Sequence, residues 1–526
     1  MPGWLWSFDR ECLRGLWLVA ALWGASAFAQ DVDAYERAGA AFEAGDYDTA
    51  AERFHQLAED SRNAEVRANS EHYLAASLER KKLWAAALIY QSAIFKAGKS
   101  HPFYLKAIEA LVDLQRRLGD EYLIPNLLGG AYSPEWRALP PPALARVHYL
   151  VGGISQRRGR LEEARAFLEQ VPRSSDVYAK SRYLVGVVLI DPHYPNGPRP
   201  LEAIRAFEDV IAIGDRDQSD LARTQELATL GLGRAHYGIR EYAKAVEAYE
   251  RIPRFSLFWD QALLENGFAR FQNDDPGGAL GSLQSLHAPQ FAGAFQPESW
   301  ILQATVYYFN CLYDEAKDAL AEFDSTYLPI QEELRPLTDA EKTESNELLR
   351  LIAARSERIP KPVLLWVRSN ERMLGALRLL EEIDRELSAV RSSSWMKSSL
   401  GPDLVSSLEQ LRSTTAMVAG QFARNRLSEA AQNIKGFADQ AEIIRFETTK
   451  AEKEMAESGI DQKAILSRQK LHRPALPADD WEYWKFEGEF WIDEIGHYRH
   501  TLKRGCVAPG VVDGRVFDSG QAPQRP

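Results

Sequence analysis

Cysteine is scarce: three occur among 526 residues, and no two stand at the CxxC or related spacing that builds a zinc site. Cys12 precedes the apolar run of the N-terminal segment, whereas a lipoprotein cysteine follows one, so no lipid anchor is expected there. Cys311 and Cys506 lie so far apart that spacing leaves both a disulfide and two separate thiols open. Positive charge is also short, with 63 Lys and Arg against 75 Asp and Glu and a formal net charge of -12. A chain without cationic surplus cannot neutralise a phosphate backbone, so nucleic acid is not an expected ligand. Past residue 30 no long apolar run occurs, and no membrane span is expected there. GxSxG, HExxH and phosphate-cradling glycine loops are missing, so no catalytic residue, cofactor, metal or small-molecule substrate is expected. The one cluster to weigh is Glu487, Glu489, Asp493 and Glu494 beside His497 and His500. A single Glu-x-x-His pair suits one helix face but is common by chance, and a solvated acidic surface is the expected reading.

What is present points to a folded, exported chain. Hydrophobic residues make up 45% and charged residues 26%, ordinary for globular material. The length exceeds one hydrophobic core, so several domains or a repeat array must share it. Arg10 and Arg14 precede the apolar run Leu16 to Trp23, and Ala27-Phe28-Ala29 has the small-x-small pattern of a signal peptidase site. Residues 1–29 are therefore expected to be a signal peptide, cleaved after Ala29, with Gln30 as the mature start in the periplasm.

Self-similarity dominates the next three hundred residues. Gly233, Tyr242, Ala245 and Tyr249 set the pattern: a small residue where two helices cross, an aromatic opening the second helix, an alanine three later and a large residue four after that. Copies recur at Ala38, Tyr47, Ala50 and Phe54; at Ala75, Trp84, Ala87 and Ile94; at Gly152, Leu161, Ala164 and Leu168; at Ala203 and Phe207; at Gly267, Ala279 and Leu283; and at Ala304, Tyr313, Ala316 and Leu320. A further copy around Gly119-Asp120 is degenerate, its second helix expected to be interrupted by Pro125, and the copy at Ala203 and Phe207 is split by the turn 191–200. This pattern resembles the tetratricopeptide (TPR) repeat. The resemblance implies an all-α, right-handed superhelical solenoid of about eight hairpins over residues 33–327, its concave groove lined by the first helix of each pair.

The repeat stops near Pro329. After a linker with a helix at 328–362, Met373, Ala376, Leu380, Ile383, Leu387 and Val390 alternate spacings of three and four, a coiled-coil seam. Leu404 to Phe422 and Ala430 to Ile444 continue it. Ser392-Ser393-Ser394 and Gly401-Pro402 are expected to supply the turn of a long antiparallel hairpin over 363–455. Residues 456–509 are aromatic-rich, with Trp481, Tyr483, Trp484, Phe486, Phe490, Trp491 and Tyr498, expected either to clamp the tail onto the rod or last repeats or to bind a partner. Disorder is expected over 510–526.

TPR arrays bind proteins, so the resemblance implies a non-enzymatic scaffold whose partners are other proteins. Its layout is similar to exported members of cell-envelope assemblies, in outer-membrane or gliding-motility machinery, with peripheral association with a membrane complex. The Lys and Asn clamp of cytosolic co-chaperones is replaced at groove positions by Glu79, Gln156, Phe268 and Tyr308. The alternative is a peptidoglycan-processing enzyme, or its accessory factor, with a superhelical shoulder. The residues after the rod are few for a catalytic cleft. Counting from the crossing residue along each first helix places Gln156, Arg157, Arg234, Tyr237, Phe268, Phe271, Tyr308 and Phe309 on the groove, the last five as an apolar trough for a helix or extended segment, or for the chain's own linker or tail.

Overall fold

The computed structural model describes residues 25–214, 218, 220–339, 341–459, 461–469, 489–503, 505–506, 511–512 and 515–516. The expected signal segment up to Gly24 and the aromatics Trp481, Tyr483, Trp484 and Phe486 lie outside them. Among the described residues sixteen helices pair into eight hairpins. These are α1 (Ala25–Glu43) with α2 (Tyr47–Asp60), α3 (Ala64–Arg80) with α4 (Trp84–Ala97), α5 (Tyr104–Leu118) with α6 (Leu123–Gly129), and α7 (Pro141–Arg157) with α8 (Leu161–Leu168). The array continues with α9 (Tyr178–Ile190) and α10 (Pro200–Ile211), α11 (Leu221–Gly238) and α12 (Tyr242–Glu250), α13 (Trp259–Gln272) and α14 (Pro276–Leu286), and α15 (Glu298–Phe309) and α16 (Tyr313–Thr338). Each second helix packs on the first helix of the next pair, so the fold is an all-α solenoid.

One turn closes seven of the eight pairs. Gly45, Lys82, Gly119, Gly159, Arg240, Asp274 and Cys311 all take the left-handed conformation, with φ between 53° and 79°. The N–H after each donates to the carbonyl five residues earlier, as from Leu83 to Leu78 at 3.0 Å and from Glu241 to His236 at 2.9 Å. This satisfies a carbonyl that the ending helix would leave without a partner. The insertion between α9 and α10 replaces the turn in the remaining pair.

Close approach at the crossings follows from missing side chains. A Cβ on Gly233 would come 2.5 Å from the Tyr249 ring, and one on Gly152 would come 2.7 Å from Leu168. The third hairpin differs from expectation. Pro125 stands in the first turn of α6, where its missing N–H has no intrahelical acceptor, and so does not interrupt the helix. Buried Asp120 starts α6 instead, its carboxylate accepting from the N–H groups of Tyr122, Leu123 and Ile124.

The C-terminal helices do not form a free rod. α16 runs on to Thr338, through the boundary anticipated near 327, and is followed by α17 (Ser345–Ala353), α18 (Lys361–Arg368), α19 (Glu371–Ser392) and α20 (Leu400–Glu457). α20 has 58 residues and spans about 87 Å at 1.5 Å per residue. Only its first part pairs antiparallel with α19, through Arg391–Glu409 at 2.5 Å and Arg412–Asp384 at 2.6 Å. The turn is residues 393–399, around buried Trp395, and Gly401-Pro402 form the first turn of α20. The second seam, Ala430 to Ile444, lies in one core with α16, α17 and α18.

α20 is thus a strut across the solenoid. At one end Asp403 meets His55 of α2 at 3.1 Å, and the Trp395 indole N–H donates to the Asp48 carbonyl at 3.0 Å. At the other, Arg445 pairs with Asp324 and Lys317 with Glu452. Two buried polar side chains, a carboxyl and a guanidinium, fasten this assembly to backbone. Glu386 of α19 accepts from the N–H groups of Ala85 and Ala86, both at 2.8 Å, at the N-terminus of α4. Burial raises its carboxyl above the usual range, against the pull of those two donors. Arg424 of α20 donates to the carbonyls of Thr338 and Thr343, at and just beyond the C-terminus of α16.

Gly233→Ala should lower unfolding free energy by about 1–3 kcal/mol through overpacking against Tyr249, measurable by urea denaturation.

Candidate protein-docking surface

The first helices of the middle hairpins line a concave face, and α19 lies opposite. Between them is a cavity of about 360 Å³, lined by Gln115 and Glu121 from around the end of α5, by Arg146, Tyr149, Lys180, Tyr183 and Arg223, and by Glu371 and Arg378 of α19. Its charges are largely matched: Arg146 with Asp176 at 2.9 Å, Lys180 with Asp220 at 2.7 Å and Arg223 with Glu371 at 3.0 Å. Burial pushes the Glu121 carboxyl up to about 6, opposed by Arg157. Such a wall favours a ligand with alternating charge over one of a single sign.

The anticipated groove residues separate into two groups. Gln156 and Arg157, both half-buried, end α7 and do not line this cleft, though Arg157 acts electrostatically on Glu121 and is itself acted on by Arg372. Arg234 spends its guanidinium on Glu265, from Nη2 at 2.6 Å and Nε at 2.9 Å. Further along, Phe271, Tyr308 and Phe309 meet, with ring centroids 5.8 Å apart for Phe271–Phe309 and 5.5 Å for Tyr308–Phe309. Tyr237 and Phe268 pack against the same core from the half-buried side. The trough is only partly open. Phe271 is 8% exposed and belongs to the core, while Phe309 is 45% exposed. Tyr308 feels Glu447, Lys450 and Glu454 of α20, so the strut runs beside it.

Tyr149 and Tyr183 escaped the count forward from the crossing residue. Each stands three residues before its crossing glycine, Gly152 or Gly186, on the face shared by the position just after it. Glu371 and Arg378 carried no such signal, since nothing local says that α19 faces the groove.

The tail lies on the outside of the seventh hairpin. Ile495 is fully buried in that core, and Phe490, Tyr498 and Leu502 pack against it. Cys506 is bonded to Cys311 across 195 residues, which decides the pairing that spacing left open. Val511–Val512 pair antiparallel with Arg515–Val516 inside the stretch expected to be disordered.

One pair imitates a catalytic dyad. His287 Nε2 is 2.9 Å from Ser299 Oγ, but Ser299 is 1% exposed and its hydroxyl donates to the Gln296 carbonyl at 2.7 Å, so no substrate reaches it. Burial pushes His287 down to about 3. Among the described residues no group of three or more His, Cys, Asp or Glu could hold a metal ion, and no helix is long and apolar enough to cross a membrane.

No protein-family model and no curated protein matches the chain. Among solved structures it is similar to a chain in the crystal structure of the APC/C hetero-tetramer Cut9-Hcn1, at 10% identity and a TM-score of 0.21, over 77% of this chain and 95% of that one. A superposition at that score carries no argument, and the solenoid assignment rests on the hairpin geometry itself.

Phe271→Ala should cost about 3–5 kcal/mol of stability, whereas Phe309→Ala should stay within about 0.5 kcal/mol, both by denaturant titration. His287, neutral when folded, takes up a proton on unfolding below its ordinary value of 6.5. Its contribution is present above pH 6.5 and is lost as pH falls toward 3. His287→Phe should flatten that acid limb of stability against pH in a series of thermal melts.

Proposed function

We propose that this protein is a non-enzymatic scaffold that holds other proteins, exported to the periplasm and acting in a cell-envelope assembly at the outer membrane or in motility machinery. The observation that carries the scaffold reading is the braced solenoid. A repeat array contacts only its neighbours and bends easily, whereas the strut ties its first hairpins to its last and fixes the concave face. Partner segments are then held at the charged cleft around Tyr149 and Tyr183 and at the edge formed by Tyr308 and Phe309.

The disulfide supports export, because such bridges persist in oxidising compartments and are rare in the cytosol. α1 begins at Ala25 and runs through the expected cleavage site, so processing after Ala29 would trim its first turn. An enzyme with a superhelical shoulder finds no support. Residues 489–503 lie along the solenoid as a strap and enclose no cleft.

N-terminal sequencing of the native protein should begin at Gln30, and retention of Met1 or Pro2 would overturn the export reading. Native protein should also resist thiol alkylation until reduced. Crosslinking of intact envelopes followed by mass spectrometry should return envelope proteins joined near Tyr308 and Tyr149. Peptidoglycan turnover by the pure protein would overturn the scaffold reading.

A further inference from the structure

A ladder of charge pairs runs along the concave face. Arg146 of α7 pairs with Asp176 just ahead of α9, at 2.9 Å, and Lys180 of α9 pairs with Asp220 just ahead of α11, at 2.7 Å. The next rung lacks an acid in the solenoid. Phe258 stands just ahead of α13, its ring centroid 5.5 Å from the Arg223 guanidinium carbon, and Arg223 turns instead to Glu371 of α19 at 3.0 Å. A second contact holds α19 against the same face: a Cβ on Gly375 would come 2.5 Å from the Gly119 carbonyl oxygen. The cavity between the two walls is thus formed without a ligand.

Two charges lining it stand outside the ladder. Among the described residues Arg378 of α19 is exposed and has no ion-pair partner, although it acts on Asp220 from a distance. Glu121 is half-buried and also has none. The Gln115 amide reaches its carboxylate at 3.5 Å, and Arg157 and Lys180 act on it from further away. Arg116 pairs with Asp113, which does not line the cavity. A ligand that completes the site therefore carries both signs, an acid for Arg378 and a base for Glu121.

Volume sets its shape. A helix about 10 Å across would fill 360 Å³ with less than one turn, whereas an extended segment can place two or three side chains there. Glu121, Tyr149 and Tyr183 belong to the solenoid wall and Arg378 to the opposite one. Successive residues of an extended segment point to opposite sides, so the base and an apolar residue two places away face the solenoid while the acid between them faces α19.

We propose that this cleft selects an extended segment of a partner protein with a basic, an acidic and an apolar residue in succession, a selectivity that rests on the scaffold reading above. The base meets Glu121, the acid meets Arg378, and the apolar side chain lies on Tyr149 and Tyr183.

The test uses fluorescent, end-blocked peptides titrated by anisotropy against the full-length chain. Gly-Ser-Lys-Glu-Phe-Ser-Gly should bind about tenfold more tightly than its isomer with Lys-Phe-Glu at the centre, and than versions with Lys-Lys-Phe or Glu-Glu-Phe. Arg378→Glu, a change on an exposed side chain, should transfer the preference to Lys-Lys-Phe, a readout that loss of folding would not produce. Absence of binding, equal binding of the isomer, or an unchanged preference in Arg378→Glu would each overturn the proposal. A free-ended Lys-Glu-Phe tripeptide binding about tenfold better than the blocked peptide would overturn the assignment to a protein segment. If envelope proteins crosslink near Tyr149 as strongly in Arg378→Glu as in wild type, the charge rule fails while the scaffold reading stands. If neither protein crosslinks there, both fail.

Discussion

A buried carboxyl and a buried guanidinium against helix ends are the interactions on which the rest of this structure depends. Glu386 has no exposed surface, and its two oxygens accept from two N–H groups that open α4. Arg424 is almost as buried and turns to carbonyls where α16 ends. Removing a polar or charged group from water costs free energy unless it finds partners, and helix ends supply them where backbone hydrogen bonds are missing. Those ends occur at fixed places. The C-terminal helices can therefore settle against the solenoid in one register, where apolar seams alone would tolerate a slip by a turn.

That fixed register changes what kind of object the array is. Each hairpin buries its apolar face only against neighbours, so an isolated array is quasi-one-dimensional, and its curvature is a sum of small rotations. A helix spanning from α2 to α16 removes much of that freedom. The same helices partly fill the concave face, which leaves a charged cleft at one place and an aromatic edge at another in place of a continuous groove. The strap over α14 repeats the principle on the outer face, with main-chain hydrogen bonds and a disulfide as its fastenings.

Much of the candidate surface was legible in the sequence, and the errors have definite causes. Tyr308 and Phe309 stand together because they are sequence neighbours at the end of α15, which is a local property. Phe271, counted onto the same stripe, is buried in the core shared with the neighbouring hairpins, and burial depends on neighbours that periodicity does not name. The heptad-like seams of the long helices were visible, and α19 does pair with α20, but the further partner in α16 was not. A run of apolar residues at spacings of three and four specifies that a helix face is covered, not by what, and α16 offers Ala430 to Ile444 as good a surface as α19 would.

The sequence by itself determined the all-α hairpin array, because its determinants act within a few residues. A missing side chain at the crossing and a large one to fill it, as in Gly233 and Tyr249, operate inside a single pair of helices. The left-handed turn was less visible, since Lys82, Arg240 and Cys311 hold a conformation that glycine would have announced. Only the tertiary structure decided that Glu386 caps α4 from about three hundred residues away, that Cys311 bonds to Cys506, and that the glycines of α14 serve a strap rather than a helix crossing. The reason is physical. Contacts across such separations are selected by the summed fit of whole surfaces, after loop closure has been overcome, and no residue pattern near either partner encodes that sum.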